Sequence, residues 1–368
     1  MDLKKYPVNE VNSWNGWDPL KQVVLGNCFP PEFFEDLADH KLRDLLQQIL
    51  YETQEDLIGI KKTLEDLGVE VIQTPEDQVH PYFDGRFTSV NDFNAVGGQL
   101  TGIPRPCLCP RDDWLVLGNR LLFTSLPPGS GVIHETMYNK NNNEIFNPDI
   151  TDFWNDEVED FRFAAPNVTR VGDKLIIDLL ETPWLADKVL NHYPQYEGAN
   201  TAIGGHNDGS YNLPKPGLVV CGPWLGPDHF KDTLPGWEVL RIEHPNYMNS
   251  DNIGHYLKSW AKEKDITKGR WWHPEIKNNK VLVDYVDKWL NEWVGFAEES
   301  VFEVNMLSIS EEVILSLNYQ KEVHDKLKQH GMEAIYCRMR HRNFWDAGLH
   351  CLTLDTYREG GKQNYFTN

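Results

Sequence analysis

The stretch DWLVLGNRLLFTS, residues 113–125, consists of two apolar runs folded about a Gly-Asn pair. Turn residues between β-prone runs predict a β-hairpin. The same plan returns in VTRVGDKLIID (168–178), YNLPKPGLVVCG (211–222) and VNMLSISEEVILSL (304–317). DPLKQVVLG (18–26) is half of a fifth unit, and GLHCLTLDTYR (348–358) supplies the other half.

Helical patterns separate the hairpins. KLRDLLQQILYETQEDLIGIKKTLEDLG (41–68) carries apolar residues at three- and four-residue spacing and stops at Gly68, a natural residue just past a helix C-terminus. The short strand VEVIQTP (69–75) follows. Hairpin, helix and strand recur through ETPWLADKVLNHY (181–193), PDHFKDTLPGWEVLRIEHP (227–245) and NYQKEVHDKLKQHGMEAIYCRM (318–339). A unit repeated about five times predicts an α/β repeat architecture that closes on itself. The expectation is one domain over residues 1–368, with insertions near 127–160 and 247–280. The first is Asn- and Asp-rich and reads as a surface loop. The second holds Trp271 and Trp272, either pocket walls or ordinary packing.

Composition narrows the function. The net charge of −21 excludes a phosphate-binding basic stripe, so no nucleic-acid partner is expected. It suits a cationic small substrate, and equally plain solubility. No run of eighteen apolar residues and no apolar leader segment stand out, which reads as a soluble, cytoplasmic protein without a membrane partner. Six scattered cysteines are no disulfide framework. Cys107 and Cys109 lack a second ligand pair at zinc spacing, so no metal is expected.

Three polar clusters lie at strand ends or turns: CPRDDW (109–114), GGHNDGSYN (204–212) and DAGLHC (346–351). Singly, each has an ordinary explanation. Cys351 can be core filling, His206 and Asp208 can bond their own turn, and Arg111 with Asp112 can be a surface ion pair. Jointly they form a chemical set. A thiolate nucleophile needs a base, for which His206 is the candidate. A guanidinium is a planar cation that paired carboxylates such as Asp112 and Asp208 clamp well. The glycines beside His206 let backbone approach a ligand closely.

At these residues the chain resembles the amidinotransferases, a family that includes the L-arginine:glycine and inosamine-phosphate enzymes. The resemblance opens at WNGWDPLKQVVLG (14–26) and continues through CPRDDWLVLGNRLLFTS, FAAPNVTRVGDKLIID and HNDGSYNLPKPGLVV. It closes with VNMLSISEEVILSL and GLHCLTLDTYREGGKQNYF. It implies a five-bladed α/β propeller of ββαβ modules, the pentein-like fold, with the site at its centre. The family's nucleophile falls on Cys351 and its acid/base on His206. Asp112 and Asp208 match the carboxylates that hold the guanidinium, and His350 lies at a family site position. Asp346 and Asn305 complete the expected substrate-binding set. Relatives suggest a homodimer.

The implied reaction moves the amidino group of an arginine-like donor onto Cys351 and then onto an acceptor amine, with ping-pong kinetics and no cofactor. The alternatives are a deiminase- or dihydrolase-type hydrolase, or a cationic-ligand binder without chemistry. Two positions depart from the family. Its FDAAN or FDAAD stretch is FAAPN (163–167) here, with Ala164 in place of an aspartate. Loss of such a carboxylate removes roughly 2–4 kcal/mol of transition-state stabilisation. An arginine for a substrate carboxylate is replaced in PPGSG, around Gly131. Asp346 is the expected stand-in for the missing acid, with Glu159 and Asp160 behind it.

Overall fold

In the computed structural model of the chain, the described residues are 6–76, 89–91, 103, 105–124, 145–153, 163–178, 185–201, 206–243, 279–290, 293 and 303–366. Each expected hairpin is present, and each is the inner part of a three-stranded sheet. Strands β3 (Trp114–Leu117) and β4 (Arg120–Phe123) pair antiparallel, and β5 (Thr151–Phe153) joins β4 in parallel. The plan repeats in β6 (Val168–Val171), β7 (Lys174–Asp178) and β8 (Glu197–Thr201). It repeats again in β9 (Tyr211–Lys215), β10 (Leu218–Cys221) and β11 (Glu238–Arg241). The next sheet holds β12 (Leu307–Ser308), β13 (Val313–Ser316) and β14 (Glu333–Tyr336). The last is built from both ends of the chain. There β15 (Thr353–Arg358) runs antiparallel to β1 (Leu20–Leu25), and β2 (Glu70–Gln73) lies parallel on the other side.

A parallel third strand requires a crossover, and helices supply it. His40–Asp66 connects β1 to β2, Leu185–His192 connects β7 to β8, and Lys321–Gln329 connects β13 to β14. Asp39 caps the first, accepting hydrogen bonds from the amides of Lys41 (3.0 Å) and Leu42 (3.1 Å), which satisfies two of its orphan donors. In the β10–β11 unit the crossover helix is one turn, Pro227–Phe230. Most of 127–160 and of 247–280, with Trp271 and Trp272, lies outside the described residues.

Hydrophobic burial closes the blades into a ring. One apolar cluster forms at each junction between consecutive sheets. Leu25 and Leu307 mark the junction of the fourth and last blades, and Val24 with Leu121 marks that of the last and first. Leu122 with Leu175, Val171 with Val219, and Leu218 with Ile314 mark the remaining three. Polar bonds cross the same seams. Asn212 Nδ2 donates to Met306 O (2.8 Å), Ser308 Oγ to Pro214 O (2.9 Å), and Tyr211 Oη to Thr169 Oγ1 (3.0 Å). The result is a five-bladed α/β propeller, as the repeat pattern implies.

The first strands of the blades face the axis, where they line a cavity of about 70 Å³ that holds Arg111, Arg170, Asp208 and His350 beside apolar residues such as Trp17 and Leu213. The axis also carries a buried ion cluster. Asp355, on β15, receives Arg111 Nη2 at 2.7 Å, Arg170 Nη2 at 2.7 Å and Arg358 Nε at 2.6 Å. Burial pushes the Asp355 carboxyl up, but the charges of Arg170, Arg111 and Arg358 hold it well below the usual carboxylate range.

Candidate active site

A short turn precedes the inner strand of each blade, and the polar clusters of the sequence occupy these turns. Pro110–Asp113 leads into β3, Ala165–Asn167 into β6 and Asn207–Ser210 into β9. Before β15 the chain folds back at residues 348–353, where Leu352 N donates to Gly348 O (3.1 Å) and Thr353 N to His350 O (3.2 Å). Neighbouring turns therefore gather at one end of the axis.

Cys351 stands in this last turn, 5% exposed. Cys28 and Cys337 pack in one apolar cluster and Cys221 in another, but Cys351 belongs to none of the five. Its sulfur instead receives Asn305 Nδ2 at 3.0 Å and lies 3.4 Å from Asp208 Oδ2, within reach of an S–H donor. Burial drives the thiol well above its usual pKa, and the negative charges of Asp208 and Asp112 add to the shift. The resting group is a thiol.

Asn305 is fully buried, and its amide is completely used by the protein. Oδ1 accepts from the amides of His350 (2.9 Å) and Cys351 (3.1 Å), while Nδ2 donates to Cys351 Sγ (3.0 Å) and to Asp208 O (3.1 Å). It fixes the thiol. A Cβ on Gly348 would lie 2.3 Å from the Asn305 side chain, so only glycine permits this contact.

Asp208 carries two loads on one oxygen. Its Oδ2 accepts from His350 Nδ1 at 2.8 Å and faces the thiol. Burial raises this carboxyl, but the His350 hydrogen bond and the charges of His350, His206 and Arg111 outweigh it and hold it down at about 2. Asp208 is therefore ionised and can only accept, which assigns the proton to His350 Nδ1. Burial and the Arg111 charge lower the His350 pKa, favouring the neutral ring.

Asp112 and His206 lie against each other nearby. His206 N-caps the turn Asn207–Ser210, and its Nδ1 stands 3.9 Å from Asp112 Oδ1. Arg105 Nη1 approaches Asp112 Oδ2 at 3.4 Å. Burial nevertheless raises the Asp112 carboxyl above its ordinary value, with His206 and Arg105 opposing the shift. The charge of His206 acts on both carboxylates, and both carboxylates act on the thiol. Two buried oxygens, Asp112 Oδ1 and Asp208 Oδ1, have no hydrogen-bond partner among the described residues.

The remaining expected positions fare differently. Asp346 ends the helical turn Arg342–Trp345 in a left-handed conformation (φ 46°). Ala164 caps the turn Ala165–Asn167, and the carboxylate found beside His206 is Asp112. Glu159, Asp160, Gly131 and the glycines at 204 and 205 lie outside the described residues. Arg111 is no surface ion pair: it is 7% exposed and bonded to Asp355. The sign that sequence reading missed is a set of charges, Arg170, Asp355 and Arg358, at buried positions of the inner strands β6 and β15.

No protein-family model matches the chain. Inosamine-phosphate amidinotransferase 1 of Streptomyces griseus is 22% identical over 391 residues, covering 95% of this chain and 97% of that protein. The mitochondrial glycine amidinotransferase of Xenopus laevis is 22% identical over 419 residues, 97% of this chain and 85% of that protein. Among solved structures, SxtG, an amidinotransferase of Microseira wollei from the saxitoxin biosynthetic pathway, superposes with a TM-score of 0.63 at 17% identity. That match covers 97% of this chain and 99% of the other. The chain is thus similar to amidinotransferases along nearly all of its length, and its fold is the pentein propeller.

Proposed function

Given a chain that is amidinotransferase-like from end to end, we propose that it transfers the amidino group of arginine or a related guanidine to an acceptor amine through a covalent amidino-Cys351 intermediate. The observation that carries this reading is the pair of buried oxygens, Asp112 Oδ1 and Asp208 Oδ1, that make no hydrogen bond among the described residues, with Asp208 against a hydrogen-bonded thiol. A buried carboxylate oxygen without a hydrogen-bond donor is costly. A planar cation with N–H donors on several edges removes that cost, and a guanidinium is such a cation.

Binding a cation here also activates the sulfur. The thiol is held protonated partly by the charges of Asp208 and Asp112. A guanidinium between them cancels those charges, so the thiol proton passes to His206. The thiolate attacks the guanidinium carbon, forming the C–S bond as the C–N π pair moves onto nitrogen. Protonated His206 then donates to the departing amine as the C–N bond breaks, because an amide anion is too poor a leaving group. Cys351 is left as an S-amidino thioether cation, which the same carboxylates stabilise. An acceptor amine enters, loses a proton to His206, attacks the amidino carbon and expels the thiolate. Donor product leaves before acceptor binds, so initial-rate plots should be parallel.

Asp112 serves two purposes in this scheme. It faces the cation, and it is the acid that orients His206 in the absence of one at position 164. His350 and Asn305 hold Asp208 and the sulfur in place. The enzyme works in the cytoplasm on small molecules, as a homodimer in the manner expected from its relatives.

The test is intact-protein and peptide mass spectrometry after incubation with arginine alone. An added amidino group on the Cys351 peptide, absent in Cys351→Ser, is the expected result. With a panel of amines, ornithine plus a new guanidino compound identifies transfer. Urea, citrulline or ammonia identifies hydrolysis. Arginine binding without an adduct or turnover would reduce the site to a cation binder.

A further inference from the structure

The turn that presents Cys351 is gripped along both edges, by residues of two other blades. Its N–H edge, the amides of His350 and Cys351, rests on Asn305 Oδ1. Its carbonyl edge rests on Arg111, whose Nε donates to His350 O at 2.8 Å and to Thr353 O at 2.9 Å. The same guanidinium gives Nη2 to Asp355 at 2.7 Å. Arg111 is also the residue next to Asp112 in the chain. One side chain thus ties the backbone carrying the sulfur to the backbone carrying a candidate substrate carboxylate.

The geometry points to Arg111 as a positioning residue, a clasp that locks the Cys351 turn to the Asp112 turn and is itself aimed by Asp355. This inference rests on the reading of Cys351 as the nucleophile. A planar guanidinium serves two carbonyls through Nε and a carboxylate through Nη2 at once, whereas a lysine ammonium is a point donor on a flexible stem. Two neighbours provide an internal comparison. Arg170 and Arg358 share Asp355, but their other bonds go to Ser13 O and Val116 O, and to Asp18 O and Ser308 O. They support the axis without touching the catalytic turn.

Three variants separate positioning from bulk stability: Arg111→Lys, Arg111→Met and, as a control, Arg358→Lys. Four quantities are read: kcat and KM for the donor, the pH dependence of kcat/KM, the melting temperature, and the rate of Cys351 alkylation by iodoacetamide, located by peptide mass spectrometry. A displacement of about 1 Å between reacting groups costs about a hundredfold, so Arg111→Lys should lower kcat at least about tenfold with KM within about threefold. Arg358→Lys should lower the melting temperature with kcat intact. The charged groups acting on His350 are Arg111, Asp208 and Asp355. Removing the Arg111 charge lets His350 protonate at higher pH, which opposes a cationic donor. The acid limb of kcat/KM should therefore move upward in Arg111→Met and stay in place in Arg111→Lys.

Arg111→Lys with wild-type kcat and a wild-type alkylation profile, merely melting earlier, would overturn the clasp. If Arg111→Lys does not fold, Arg111→Gln is read in its place on kcat, KM and alkylation, with its acid limb expected to follow Arg111→Met. Should the wild-type protein transfer no amidino group, the functional reading falls, and Arg111 is judged on alkylation alone. A change of at least about fivefold in the Cys351 rate then supports the clasp, and no change rejects it.

Discussion

Burial alone does not distinguish Cys351 from the other thiols, since Cys28, Cys107, Cys221 and Cys337 are also buried. Its partners do. Its sulfur lies between an amide donor and an ionised carboxylate, surroundings that support the proposed nucleophile. Polar residues crowded at strand ends made this cluster legible in the sequence, because such residues have no packing reason to be there. The acid beside His206 was not legible. Asp346 is the stand-in expected for the acid absent at Ala164, and Asp112 is a carboxylate that lies beside His206, at 3.9 Å. Asp112→Asn should therefore lower donor kcat/KM by about 10²–10³. Asn adopts the left-handed conformation of Asp346 as readily as Asp, so Asp346→Asn should keep the fold and cost less than about tenfold by the same assay. Ala164→Asp is the converse probe. With Asp112 already orienting His206, kcat should change by no more than about threefold, and a large gain would mean the imidazole is unheld in the natural chain.

Hairpins were readable because their information is local: apolar alternation on either side of a turn whose residue can reach positive φ. Gly118 (φ 61°), Gly172 (φ 65°) and Gly217 (φ 83°) sit in three of these turns. The turns differ in what surrounds them, and that difference cannot be read from sequence. A Cβ at Gly217 meets nothing within 4 Å, whereas one at Gly172 would lie 2.0 Å from Gln363 O. The C-terminal segment presses on that turn, and Gln363 O also accepts from Asp173 N at 2.9 Å. Gly217→Ala should cost about 1–2 kcal/mol in urea unfolding, the left-handed penalty alone. Gly172→Ala should exceed it by at least about 1 kcal/mol, because backbone must move as well. Equal costs would mean that the C-terminal segment yields freely.

At the scale of the molecule, the decisive contacts join residues far apart in sequence. Arg111 meets Asp355 across 244 positions and Arg170 meets it across 185. No window of sequence holds both partners, so Arg111 reads as a surface residue until the ring is closed. The axis then gathers three guanidiniums, from three different blades, on one carboxylate. Neutralising Asp355 removes the partner the three cations share, and leaving buried charge uncompensated costs about 3–5 kcal/mol. The sign of the pH dependence follows. The Asp355 and Asp208 carboxyls are both lower in the folded chain than the ordinary value. Their stabilisation is complete above roughly pH 4, where an unfolded aspartate is ionised, and is lost as pH falls toward their folded values. Asp112, raised by burial, acts the other way, since protonating it relieves a penalty of the folded state. Against burial, arginine and hydrogen-bond partners also hold Asp152 and Glu52 below the ordinary range, while burial raises Asp18. With depressed carboxyls in the majority, urea midpoints of the wild-type protein should decline below about pH 4. Asp355→Asn should begin from a lower midpoint near neutral pH and decline less on acidification, so the two curves converge. Parallel curves would show that the cluster does not hold the ring together through that charge.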